Sequence, residues 1–159
     1  MSHDAACADL IRKGFGDRII TRETTIDTVE NAAATIGVGI ERIAKTLSFI
    51  QGDKAVLIVA TGHVKIDNHK YKQRFGVKAR MIPGASVEEL IGHAPGGVCP
   101  FGIKEGVEVW LDESLKMFTT TFLACGDDRT TIELTAEETE KASGALGWID
   151  VTKLIEPQA

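Results

Sequence analysis

Apolar positions along the chain change period several times, and the changes outline its elements. From Asp4 to Lys13, Ala8, Leu10 and Ile11 fall at helical spacing among polar residues, which predicts a short amphipathic helix. Gly14-Phe15-Gly16-Asp17 ends it, and Arg18 to Arg22 reads as a brief strand. Asp27-Thr28-Val29-Glu30 has the spacing of a capping box with Asp27 as N-cap, opening an alanine-rich helix to Ile36 with Gly37 at the C′ position. Ile40 to Ala44 predicts one more helical turn. At Lys45 to Ile50 the period becomes two, with Leu47 and Phe49 sharing a face. Gln51-Gly52-Asp53-Lys54 is a hairpin signal. Ala55 to Ala60 is apolar on both faces, as a central sheet strand requires. Lys45 therefore stands at a helix-to-strand junction.

Further on, Asp67 caps a predicted helix that runs to Phe75 and stops at Gly76; Val77 to Ile82 returns as a strand, and Pro83-Gly84 turns the chain. Ser86-Val87-Glu88-Glu89 has capping-box spacing for a helix ending between Ile91 and His93. Val107 to Leu111 alternates around Trp110 as a strand, and Asp112 to Leu115 reads as a turn. Phe118 to Cys125 has high strand propensity, with a hairpin at Gly126 to Arg129 leading into Thr130 to Leu134. Thr135-Ala136-Glu137-Glu138 opens a last helix to Ala142 or Ser143, and Trp148 to Leu154 is expected to pack back on the sheet. Strands interleaved with helices, followed by hairpin strands, imply one α/β domain over residues 1–159 with a mixed sheet.

Between the predicted helix at Ser86 and the strand at Val107 lies Ala94-Pro95-Gly96-Gly97-Val98-Cys99-Pro100-Phe101-Gly102. Three glycines and two prolines in nine residues exclude a helix or a regular strand interior. Such a loop is either a connecting turn or a stiff cradle whose N–H groups receive a carbonyl or an oxyanion.

Composition narrows the setting. A chain of 159 residues, 43% hydrophobic and 26% charged, has the balance of an ordinary globular domain. Cys7, Cys99 and Cys125 are odd in number and lack CxxC spacing, which argues against a disulfide framework or a zinc knuckle. Free thiols and a start without a basic and apolar leader lead us to expect a cytoplasmic protein. The longest aliphatic run, Ala55 to Ala60, is too short to cross a bilayer, so no membrane association is expected. The net charge of −5 argues against generic nucleic-acid binding, but Lys65, Lys70, Lys72, Arg74, Lys78 and Arg80 stand against Asp67 alone in one segment. That segment is either a solvated face or a contact for a phosphate backbone.

Several chemistries can be weighed from the residues. Cys99 lies near His93 in sequence, so a thiol nucleophile with an imidazole base is conceivable, although a cysteine before proline is more often a packed side chain. His3, His63, His69 and His93 show no HxH or HxxxH spacing, and no metal site is expected. Gly37-Val38-Gly39 lacks the third glycine and the long preceding strand of a dinucleotide fingerprint. Lys45 either snorkels to solvent or sits over a pocket, where its ammonium would anchor a phosphate or stabilise developing negative charge.

Ile43-Ala44-Lys45-Thr46-Leu47-Ser48-Phe49, followed some fifty residues later by Gly96-Gly97-Val98-Cys99-Pro100-Phe101-Gly102, resembles the YbaK/EbsC family. These are aminoacyl-tRNA deacylases related to the editing (insertion) domain of bacterial prolyl-tRNA synthetase. The resemblance runs from about Thr28 to Glu137 and includes the late hairpin at Gly126 to Leu134. It implies a YbaK-like fold with a barrel-like mixed sheet, and a hydrolase that cleaves the ester joining a wrong amino acid to the tRNA 3′ end. It also implies no cofactor, no metal and no protein nucleophile: Lys45 holds a phosphate of the terminal nucleotide, the Gly96 or Gly97 amide positions the carbonyl, and water or a substrate group attacks. Thr28, Thr46, Val98, Cys99, Pro100, Phe101 and Ala124 would then contact substrate, and Lys65, Lys70, Lys72 and Arg74 would contact tRNA. The partners implied are aminoacyl-tRNA and an aminoacyl-tRNA synthetase.

The chain departs from the family pattern at three of these positions. Cys99 stands where the loop more often has serine, Ala124 where cysteine-specific members have serine, and Thr28 where those members have an aromatic residue. The substrate amino acid therefore need not be theirs. Besides a deacylase, two rival readings stay open: a non-catalytic module of the same fold that binds charged tRNA or a synthetase, and a hydrolase dependent on the Cys99 thiol.

Overall fold

The computed structural model describes residues 2–155. Helix α1 (Ser2–Arg12) buries Ala6 and Leu10 completely; one such leucine contributes about 1.5–3 kcal/mol of apolar transfer. A 3₁₀ turn (Gly16–Arg18) leads to the short strand β1 (Ile19–Thr21). Helix α2 (Val29–Ile36) ends at Gly37 in the left-handed conformation, as its sequence predicts. Its start differs by one residue: Thr28, not Asp27, is the N-cap, its hydroxyl accepting from the Asn31 amide at 3.0 Å. After a 3₁₀ turn (Ile40–Arg42) come β2 (Ala44–Gln51) and β3 (Lys54–Thr61), joined by the expected hairpin. β4 (Val64–Ile66) and α3 (Asn68–Phe75) follow, the latter capped by Asp67 and stopped by Gly76 as expected.

Two local expectations fail here. Val77 to Ile82 does not become a strand: it runs along the edge of β2 with one bridge, Met81 to Phe49, and two backbone bonds, Ile50 N–H to Arg80 and Ile82 N–H to Ser48. Val77 and Met81 stay exposed, so the alternating pattern has no second layer to bury its apolar face. Helix α4 (Gly84–Ile91) starts two residues before Ser86, with Pro83 at the N-cap and no side-chain cap bond. Pro83 already holds φ at −57°, which begins the turn before Ser86 could cap it.

β5 (Glu108–Asp112) leads into a 3₁₀ segment capped by Asp112; β6 (Thr121–Ala124), shorter than expected, pairs with β7 (Thr130–Leu134). Helix α5 (Ala136–Ser143) opens with a complete capping box between Thr135 and Glu138. The tail forms β8 (Gly147–Ile149) and β9 (Thr152–Leu154).

The strands make three sheets rather than one barrel-like sheet. β2-β3-β5-β8 is mixed, with β2 antiparallel to β3 and β5 parallel to both neighbours. β1-β7-β6 is antiparallel, and β4 pairs with β9. β3 explains its own sequence: Leu57 and Val59 enter the main core with Leu10, Phe101, Leu111 and Ile132, while Val56 and Ile58 face a second cluster with Tyr71 of α3 and Val151 of the tail. Both faces being covered, the run from Ala55 to Ala60 is apolar throughout, and the polar residues Lys54 and Thr61 stand at its two ends. The first two sheets touch through the parallel bridge between Ile43 and Phe122, and the site lies at that seam.

Candidate active site

A cavity of about 210 Å³ opens at the seam. Its base is apolar, because Ile26, Ala32, Ile43, Val29, Ile36, Phe122 and Ala124 form one cluster beneath α2. α2 contributes Thr28 and Val29 to the rim, β2 contributes Lys45 and Thr46, β6 contributes Ala124, and the glycine/proline loop contributes Gly96 and Val98. Lys45, Thr46, Thr28, Ala124, Gly96 and Val98, separated by up to 96 positions in sequence, therefore share one pocket.

Lys45 is half-buried and donates from Nζ to the carbonyl of Val64 in β4. Burial pushes its pKa below the ordinary lysine value, and the nearby negative charge of Glu30 pulls it partly back. The lysine is thus held over the pocket. β4 places Lys65 directly opposite Lys153 of β9, so two like charges share the edge next to the Lys45 anchor. Lys65 and Lys72 are exposed. Lys70 is engaged within the fold, with Nζ at 3.1 Å from Asp150 and 2.8 Å from the Thr152 carbonyl. Arg74 lies over the rings of Phe75 and Trp110, at 5.2 and 4.6 Å.

The loop is held from three sides. Gly97 is buried, and a Cβ on it would lie 2.8 Å from the Gly126 carbonyl carbon and 2.9 Å from Asp127 backbone atoms. Glycine is needed there because two backbones meet. Asp9 of α1, almost fully buried, accepts the Gly102 amide at 3.0 Å and binds Arg12 and Lys13, fixing the end of the loop. His93, wholly buried, donates from Nε2 to the Phe101 carbonyl at 2.6 Å, because a carbonyl can only accept. Nothing in the sequence pattern marks Asp9 as a loop anchor; its contact spans 93 positions.

The loop residues divide accordingly. The Gly97 amide is already bonded to the Ala94 carbonyl at 3.1 Å and cannot be the carbonyl receptor. The Gly96 amide makes no hydrogen bond to another described residue, and Gly96 faces the cavity with φ at +93°. Cys99, Pro100 and Phe101, expected to touch substrate, are instead buried behind the wall. Their apolar side chains are worth more in the main core, which Cys99 and Phe101 join at zero exposure. Cys99 does meet His93, Sγ to Nε2 at 3.4 Å. That nitrogen already carries the proton it gives to Phe101, so it cannot accept one from the thiol. Burial raises the Cys99 pKa to about 12 and lowers that of His93. The pair is therefore a packed, neutral one and no nucleophile.

Among the lining residues not expected to act there, the charged one is Asp27. With Thr28 serving as cap, its carboxylate remains at the cavity mouth. The adjacent cap-competent residues Asp27-Thr28 were the only signal in the sequence.

A cavity walled by apolar side chains, with a fixed cation on one side and, on the other, an amide without a partner among the described residues, suits orientation of a charged or carbonyl-bearing ligand. Comparison with known proteins fits this geometry. Residues 23–142 match the family described as the aminoacyl-tRNA editing domain. YwhH of Bacillus subtilis, described as uncharacterized, is 54% identical over 132 residues, 82% of this chain and 84% of that protein. The proline–tRNA ligase of the same organism is 32% identical over 94 residues, 57% of this chain and 16% of the ligase. A solved structure described as a proposed trans-editing enzyme for prolyl tRNA synthetase superposes with a TM-score of 0.85 at 27% identity, covering 96% of this chain and 97% of that one. From Lys45 to the Gly96 amide, the pocket is built on the fold of that group, and the chain belongs to the aminoacyl-tRNA editing domain family.

Proposed function

We propose that the protein is a free-standing deacylase that hydrolyses the ester of mischarged aminoacyl-tRNA. The observation that carries this reading is the convergence on one largely apolar cavity of Lys45 and the Gly96 amide, which has no partner among the described residues. At about 210 Å³ the cavity is below the ~300–1,000 Å³ of a site enclosing a drug-sized ligand. It suits an aminoacyl group, with the terminal adenosine at the mouth. Lys45, fixed on Val64, offers positive charge to the 3′-terminal phosphate, and exposed Lys65 and Lys153 extend that charge outward. The Gly96 amide receives the ester carbonyl and the negative charge that develops on it. Water adds to the carbonyl carbon, the bond to the ribose oxygen breaks, and that oxygen leaves with a proton as the free 3′-terminal hydroxyl. An aminoacyl ester is activated, so orientation and charge stabilisation supply much of the rate and neither a protein nucleophile nor a metal is called upon.

The test is a deacylation panel of mischarged tRNAs that includes tRNAPro charged with non-cognate amino acids, a choice supported by the similarity to proline–tRNA ligase. Turnover that falls with Lys45→Ala supports the reading. No turnover of any member, or turnover indifferent to Lys45→Ala, refutes it; binding without turnover assigns the pocket to a recognition module instead.

A further inference from the structure

Asp27 is the carboxylate at the cavity rim, and its place in the fold leaves it available. Thr28 performs the helix cap, while Asp27 Oδ1 accepts from the Asn31 side chain at 2.9 Å. That bond, with others from Thr25 and from the amides of Asp27 and Thr28, lowers its pKa below the usual carboxylate value, so it is an anion at neutral pH. Asp27 also adjoins the amide assigned to the carbonyl: a Cβ built on Gly96 would lie 3.7 Å from the Asp27 Cβ. An anion thus stands beside a donor that has no partner among the described residues.

An α-aminoacyl ester carries the complementary pair. Its carbonyl oxygen accepts one hydrogen bond, and its α-ammonium, one carbon away, donates up to three and bears a charge. Lys45 and Asp27 are the charged residues of the cavity lining, and they have opposite signs. An α-ammonium is repelled by one and held by the other. Resting on the deacylase reading, we infer that Asp27 binds the α-ammonium of the aminoacyl group whose carbonyl the Gly96 amide receives, making the site selective for acyl groups with a free α-amine. The substrate is then fixed at three points: phosphate toward Lys45, carbonyl at Gly96 and amine at Asp27.

The experiment uses the full chain and the aminoacyl-tRNA of the panel that turns over fastest. The comparison substrate is the same tRNA carrying the 2-hydroxyacyl analogue, which replaces the amine by a neutral hydroxyl of nearly the same size. Each kcat/KM is divided by the spontaneous hydrolysis rate of that ester. The wild type is expected to prefer the amine about 10- to 100-fold, the range for one hydrogen bond to a charged group. Asp27→Asn and Asp27→Ala reduce that preference to about threefold or less. Mere loosening of α2 would slow both substrates equally and leave the ratio intact. A wild-type preference that survives in both variants, or a wild type without preference, overturns the inference while the deacylase reading stands. A wild type inactive on every aminoacyl-tRNA overturns both.

Discussion

Gly97→Ala tests whether the loop acts by position. Gly97 is outside the left-handed region, so alanine introduces no backbone strain and the whole effect comes from one methyl group. That methyl would sit 2.8 Å from the Gly126 carbonyl carbon and 2.9 Å from the Asp127 N and Cα, all of them backbone atoms that cannot rotate away. Ordinary contact begins at 3.4 Å, so loop and hairpin must part by about 0.6 Å. Overpacking of this kind costs about 1–3 kcal/mol, readable as a lowered urea midpoint with unchanged slope. The same displacement moves the Gly96 amide. Since a misplacement of about 1 Å costs on the order of 100-fold, 0.6 Å predicts a loss of about 10- to 20-fold in kcat for deacylation. Wild-type kcat and wild-type midpoint together would refute the account of the loop.

Three other outcomes follow from the same geometry. Lys45→Ala lowers kcat/KM for deacylation about 100-fold or more, with Lys45→Arg retaining part, because a fixed cation is lost from the site. Cys99→Ala stays within about threefold of wild-type activity and loses about 1 kcal/mol of stability; abolished activity would restore the thiol mechanism. Glu138→Ala costs about 1 kcal/mol at pH 7, chiefly through the bond from the Thr135 amide and then through Arg18. Because the folded pKa of Glu138 lies below its unfolded value, that contribution is present above about pH 4.3 and disappears as pH falls through the folded pKa. Urea titrations of both proteins at pH 7 and pH 3 should show a smaller gap at the lower pH.

How much could be read in advance varies with the range of the interaction. The Thr135 box, the Asp67 cap and the stop at Gly37 appear as the sequence predicts, because each is made by residues within four positions. The run from Ala55 to Ala60 identifies a central strand because both of its faces are covered. Asp27 and Thr28 are equally able to cap, and local pattern cannot choose between them; the choice decides whether a carboxylate stands at the pocket. Val77 to Ile82 alternates like a strand, yet no layer covers its outer face.

Within the site, the residue types were legible and their division of labour was not. The chain alone determined a stiff loop, a lysine leading into a core strand and the order in which they occur. These follow from φ restriction and hydrophobic period, which act locally. Only the tertiary structure decided that Gly96 faces the cavity while Gly97 is wedged against the Gly126–Asp127 backbone, that Cys99 and Phe101 are core, and that Asp9 anchors the loop. Those are contacts between segments distant in sequence. Which side of a loop meets solvent depends on what packs behind it, and no local pattern carries that information.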